Sequence, residues 1–65
     1  MLELYKNCYV DAKKISFMEV IAYNELSLYS LKFIVDGVLC ETPKNTLNDI
    51  GGYIDKIRRE QENEK

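Results

Sequence analysis

The chain has 65 residues, a net charge of −2 and no histidine, and 46% of its residues are hydrophobic. This composition is that of one small folded domain rather than of a disordered chain. Its Lys and Arg residues are dispersed, which disfavours the clustered cations on which non-specific nucleic-acid binding depends.

Such a small domain has little core, and a disulfide, a metal or a partner subunit usually adds stability. The two cysteines, Cys8 and Cys40, cannot complete a four-ligand zinc site unless carboxylates or a second chain contribute. The sequence shows no signal peptide and no membrane-spanning apolar run, which favours reduced cysteines in a cytoplasmic protein over a disulfide. We therefore predict no cofactor, no metal and no membrane contact, and a second copy of the chain as the stabilising partner.

The N-terminal half is predicted to form strands. Residues 5–10 suggest a short edge strand, and residues 15–22 are rich in the β-branched and aromatic side chains that favour a strand. A turn is expected at Tyr23-Asn24-Glu25. The alternative is a helix, because apolar residues from Ile15 to Phe33 also recur at helical spacing, and we favour the strand.

The dipeptide Asp36-Gly37 predicts a hairpin with a type I′ turn between residues 29–35 and 38–42. Its register sets Lys32 opposite Glu41, an arrangement that stabilises antiparallel strands. Because side chains alternate along a strand, the two faces differ. One face carries Leu31, Phe33, Val35, Val38 and Cys40, and the other carries Leu28, Ile34 and Leu39 with Lys32 and Glu41.

The C-terminal third predicts an amphipathic helix over residues 46–59. Its apolar residues recur at spacings of three and four, and Thr46 is a candidate N-cap with Asp49 three residues later. Gly51, at the edge of the apolar stripe, is predicted to allow close approach of the helix to the sheet. A phosphate-binding glycine loop is disfavoured because the flanking Lys and Ser/Thr are missing. The apolar stripe consists of Leu47, Ile50, Ile54 and Ile57.

The element order predicts a small α+β domain, with an antiparallel sheet of three to four strands followed by one C-terminal amphipathic helix. The domain covers residues 1–59, and residues 60–65 form a polar C-terminal tail. The pattern of residues 10–15, residues 31–38 and the apolar helical stripe resembles small bacterial proteins of the flagellar FlbD-like type. That resemblance is a hydrophobic pattern with one Asp-Gly turn. It implies the same topology.

Two residues are candidates for chemistry. Glu19 lies beside Val20 and Ile21, and burial would raise its pKa and let it act as a base. We favour instead an outward-facing carboxylate that protects an edge strand from aggregation. Cys40 would need a base to become a nucleophile, so we predict that it fills the core. We predict no catalytic, cofactor-binding or metal-binding residue, and therefore a protein that is not an enzyme.

The predicted interface consists of apolar and tyrosine side chains. If the helix covers one sheet face, three apolar residues of the other face stay exposed to solvent. Each then lacks the stabilisation of about 1.5–3 kcal/mol that its burial would contribute. Tyrosine is enriched at interfaces, whereas a base-stacking platform would need interleaved cations. Residues 2–9 folding over this face within one chain is the competing possibility. The predicted interface residues are Leu28, Ile34, Leu39, Tyr23 and Tyr29.

The function that this reasoning favours is a non-enzymatic protein-interaction module acting as a homodimer. Its further partner is expected to be one larger protein, as for viral or mobile-element inhibitors that bind a host protein. One alternative is a bacterial accessory or regulatory protein of the FlbD-like type. A second alternative is a small nucleic-acid-binding regulator.

Overall fold

The computed structural model describes residues 1–23 and 27–63, which form two antiparallel sheets and one α-helix. The first sheet pairs β1 with β2, and the second has the strand order β3-β4-β5. This confirms the predicted α+β class, with antiparallel strands followed by one C-terminal helix. The elements are β1 (Leu2–Tyr5), β2 (Cys8–Val10), a short 3-10 helix (Ala12–Lys14), β3 (Ile15–Tyr23), β4 (Leu28–Val35), β5 (Val38–Glu41) and α1 (Leu47–Glu62).

The hairpin of β4 and β5 has the predicted turn and register. Asp36 has a φ of 52° and Gly37 a φ of 80°, and a type I′ turn requires positive φ at both central residues. Lys32 lies opposite Glu41, as predicted. Two local residues therefore set the register of the whole hairpin.

The strand prediction for residues 15–22 is confirmed, because β3 pairs with β4 along most of its length. The helical alternative is wrong. Leu31 and Phe33, two positions apart, are both buried, which is the period of a strand rather than of a helix. The turn predicted at Tyr23-Asn24-Glu25 lies, beyond Tyr23, outside the described residues.

The N-terminal segment forms its own hairpin, so the prediction of a single edge strand over residues 5–10 is wrong. β1 turns into β2 through Asn7, whose φ of 65° is a conformation that asparagine tolerates. The Glu3 carboxylate accepts a hydrogen bond from the Asn7 backbone N–H at 3.2 Å. This contact stabilises the turn.

The N-terminal hairpin packs on the same side of the three-stranded sheet as α1. Lys56 Nζ donates to the Leu4 carbonyl at 3.4 Å, and the rings of Tyr5 and Tyr53 lie 5.8 Å apart between centroids. The alternative in which residues 2–9 fold over the opposite sheet face is therefore wrong. The physical reason is that Leu4 and Val10 complete the core beneath the helix.

One core lies between the three-stranded sheet, α1 and the N-terminal hairpin. It draws side chains from both sheets, from the 3-10 helix and from α1. We call this side of the three-stranded sheet the helix side, and the opposite side the outer face. The buried hydrophobic residues are Leu4, Val10, Ala12, Ile15, Leu31, Phe33, Ile50 and Ile57.

The helix begins as predicted, because the Thr46 hydroxyl accepts a hydrogen bond from the Asp49 N–H at 3.2 Å. It continues past Arg59 to Glu62, where Gln61 Nε2 donates to the Ala12 carbonyl at 3.0 Å and anchors the last turn. The role predicted for Gly51 is wrong, since a Cβ there would meet nothing within 4 Å. In the described parts of the chain, no helix is long and apolar enough to cross a membrane.

Candidate interaction surface

The outer face carries the side chains that the core does not use. Strand pairing orders them in rows that run across the sheet. An apolar row lies at the end near the Asp36-Gly37 turn, a charged row lies next to it, and two mixed rows follow. In that order the rows are Phe17, Ile34 and Leu39; Glu19, Lys32 and Glu41; Ile21 and Ser30; and Tyr23 and Leu28.

The apolar row contains one side chain from each strand. Phe17 on β3 is 47% exposed and Leu39 on β5 is 59% exposed, while Ile34 between them is half-buried. Residues directly opposite each other on neighbouring strands have Cβ atoms about 4.5–5.5 Å apart, so the three side chains form one strip. An exposed apolar strip of this kind is typical of an interaction surface.

Four of the five predicted interface residues lie on the outer face. Leu28, Ile34 and Tyr23 are half-buried there, and Leu39 is exposed. The side chain of Tyr29 lies on the other face of β4 and packs against the core on the helix side.

Phe17 belongs to the same surface and was not predicted. The alternation of Phe17, Glu19, Ile21 and Tyr23 along β3 is the signal that could have found it. That alternation becomes informative only when the pairing of β3 with β4 is known.

A polar cluster surrounds Glu41 on the outer face. Its Oε2 accepts hydrogen bonds from the hydroxyls of Ser30 and Tyr23, each at 2.6 Å. These bonds, that of Ser30 foremost, and the attraction of Lys32 and Lys44 hold the pKa of the Glu41 carboxyl below its ordinary value. Lys44 Nζ also lies 4.4 Å from the centre of the Tyr23 ring. The predicted cross-strand position of Glu41 is confirmed, and its carboxylate bonds to hydroxyls.

Removing either hydroxyl donor should raise the pKa of the Glu41 carboxyl. Because Ser30 is the largest cause, Ser30→Ala should raise the pKa of Glu41 toward the ordinary 4.5, and Tyr23→Phe should raise it less. A pKa that is lower in the folded state adds stability above the unfolded value of 4.5, and that stability is lost as pH falls through the folded pKa. Carboxyl-carbon NMR titration measures the shift. Ser16→Ala, at an exposed serine of β3, is the control and should leave the Glu41 pKa unchanged.

A second cluster joins the N-terminal hairpin to the helix. The side-chain hydrogen bond with Cys8, partial burial and the nearby thiols of Cys8 and Cys40 raise the pKa of Tyr5 to about 12. Both cysteines are free and half-buried, and both pack against the core. The chain contains no histidine that could act as a base for either thiol.

Glu19 is exposed on the outer face of β3, directly opposite Lys32. This position is that of a solvated charge on an edge strand, not of a shielded general base. Among the residues that the structure describes, no group of three or more His, Cys, Asp or Glu side chains could hold a metal ion.

Comparison with known proteins adds no relative. No protein-family model, no curated protein and no solved structure matches the chain. The resemblance to FlbD-like proteins therefore stays a prediction.

Proposed function

We propose that the chain is a non-enzymatic protein-interaction module that acts as a homodimer through its outer face. The apolar row carries this proposal, because Phe17 and Leu39 are 47% and 59% exposed on a domain with a small core. Complete burial of such a side chain contributes about 1.5–3 kcal/mol, so covering the exposed half of each contributes about 1 kcal/mol or slightly more. A contribution of this size matters to a fold of this length.

The arrangement of the rows favours two-fold pairing of two copies. A two-fold axis sets the same patch of each copy against itself, the commonest arrangement in small homo-oligomers. If the outer faces of two copies pack against each other with an offset, the two apolar rows meet. The charged row of each copy, Glu19, Lys32 and Glu41, then lies at the rim of the interface. Charged groups at the rim of an interface stay hydrated and cost little.

The biological use that we propose is binding of the dimer to one larger protein in the cytoplasm. An inhibitor encoded by a virus or a mobile element is the form that fits best, because a small acidic dimer can block a site on a host protein without chemistry of its own. The free thiols of Cys8 and Cys40 support a reducing compartment.

The test is sedimentation equilibrium at micromolar concentration. The wild type is expected to be a dimer, and Leu39→Lys is expected to weaken dimerisation at least about tenfold, since about 1.4 kcal/mol corresponds to that factor. Ile34→Lys should act in the same direction more strongly, because Ile34 is the centre of the apolar row. Circular dichroism establishes that each variant is folded.

Val38→Lys is the matched control. Val38 is 61% exposed in the same hairpin but lies on the helix side. The substitution therefore introduces the same charge away from the outer face. The control should dimerise like the wild type. A monomeric wild type, or equal dimerisation of Leu39→Lys and Val38→Lys, would contradict the proposal.

A further inference from the structure

The two edges of the three-stranded sheet differ in length. β5 has four residues, and Thr42 and Pro43 follow it directly. β3 has nine residues and pairs with β4 alone among the described strands. A long edge strand exposes unpaired backbone groups that can accept another strand, whereas a short one does not.

The β4–β5 hairpin determines which residues of β4 form backbone hydrogen bonds to β5 and which form them to β3. A two-residue turn makes Val35 and Val38 a hydrogen-bonded pair, and such pairs recur at every second residue. The bond from the Thr42 N–H to the Leu31 carbonyl at 2.9 Å agrees with this alternation. The odd-numbered residues of β4 therefore bond to β5. The even-numbered residues, Lys32 among them, bond to β3.

On β3 the same alternation determines which backbone groups point away from the sheet. Glu19 and Ile21 lie opposite even-numbered residues of β4, so their N–H and C=O groups bond inward. The N–H and C=O groups of Met18, Val20 and Ala22 consequently point outward along the free edge. They have no hydrogen bond to any other element in the described parts of the chain.

A groove of about 470 Å³ runs beside this edge on the helix side. β3 forms one wall, where Val20 is 41% exposed, and the C-terminal half of α1 forms the other. Ile54 contributes apolar surface to the helical wall. Arg58 lines the groove as an exposed cation without an ion pair to any described residue.

We infer that the free edge of β3 binds an extended segment of a partner protein as an added strand. Backbone hydrogen bonds to Met18, Val20 and Ala22 supply the affinity, as in other cases of strand addition. Alternate side chains of the bound segment point into the groove. The segment is therefore apolar at alternate positions and carries an acidic residue that pairs with Arg58. This inference rests on the proposed function, since it identifies how the module contacts its larger partner.

A second copy of the chain fits the groove less well. On the helix side, β3 of another copy would present Ile15, Met18, Val20 and Ala22, none of which is acidic. Antiparallel pairing of two β3 strands would also bring the helix of the second copy, with its own Arg58, to the same side of the sheet. Glu19 also lines the groove, but its side chain lies on the outer face opposite Lys32, so Arg58 is the charge that an added strand meets on the helix side.

The experiment selects peptides from a phage-displayed library of random twelve-residue sequences against the wild-type protein. Enriched peptides are expected to alternate apolar residues and to contain Asp or Glu. Val20→Pro removes one outward N–H without breaking the bonds between β3 and β4, because proline is tolerated at the open side of an edge strand. It should weaken binding of a selected peptide at least tenfold, whereas Val20→Thr, which keeps the N–H, should not.

Two further measurements make the result specific. Arg58→Glu should reverse the charge of the enriched peptides from acidic to basic. Hydrogen exchange should show that the amides of Met18, Val20 and Ala22 become protected when the peptide binds. The inference fails if no peptide is enriched or if Val20→Pro binds undiminished. It also fails if these amides are already protected without peptide, which would indicate a second copy at the edge.

The outcomes separate this inference from the proposed homodimer. A monomeric wild type that still binds peptides at β3 would remove the dimer and keep the edge site. A dimer that is lost in Leu39→Lys, with no peptide bound at β3 in either form, would keep the dimer and remove the edge site.

Discussion

Replacement of Phe33 by alanine is expected to lower the free energy of unfolding by about 3–5 kcal/mol. Phe33 is 1% exposed and lies on the central strand β4, between Met18 on β3 and Cys40 on β5. Its truncation leaves a cavity in the core that the sheet shares with the helix and the N-terminal hairpin. Because a core of this size supplies about 3–5 kcal/mol in all, the variant should be largely unfolded without a stabilising partner.

Urea denaturation followed by circular dichroism gives the free energy of unfolding of the wild type, and Phe33→Ala should show little folded signal even without urea. Tyr9→Ala is the control, because it removes an aromatic side chain that is 60% exposed on β2 and lies outside the apolar row. The control should lose much less stability. Equal losses in the two variants would mean that burial of Phe33 in the core does not stabilise the fold.

The features that the sequence predicted correctly depend on local signals. Asp36-Gly37 determines both the turn and the register of β4 and β5, because the strands begin directly beside it. The start of α1 is equally local, since the Thr46 hydroxyl and the Asp49 N–H are three residues apart. The antiparallel sheet and the C-terminal helix follow from these elements.

The N-terminal hairpin was not predicted, because its signals are weak. β1 and β2 have four and three residues, which is too short for alternation to distinguish a strand from a loop. The turn between them contains no glycine, and Asn7 adopts the positive φ instead. Only packing of Leu4 and Val10 against the helix reveals that the segment belongs to the core.

The candidate surface was predictable only in part, because it depends on a longer connection. Leu39 and Ile34 belong to the local hairpin, and their position followed from its turn. The position of Phe17 requires the register between β3 and β4, which no turn signal fixes. The cluster of Tyr23, Ser30 and Glu41 requires the same register, since it joins all three strands.

Replacement of Leu4 by alanine should lower the free energy of unfolding by about 2–5 kcal/mol, although Leu4 lies in a four-residue strand near the chain start. Leu4 is fully buried, and it joins a core that includes Ile50 and Ile57 of α1. Lys56 also donates to the Leu4 carbonyl, so the hairpin and the helix hold each other in place. Loss of the side chain should therefore destabilise the whole domain and not only β1.

Leu47→Ala is the control for this prediction, because Leu47 is 53% exposed on the first turn of α1 and loses the same atoms. Urea unfolding of the two variants should give a single transition in each case, with the midpoint of Leu4→Ala far lower. A separate early transition in Leu4→Ala would instead mean that the N-terminal hairpin detaches alone. A midpoint equal to that of Leu47→Ala would mean that the sheet and α1 form a stable core without it.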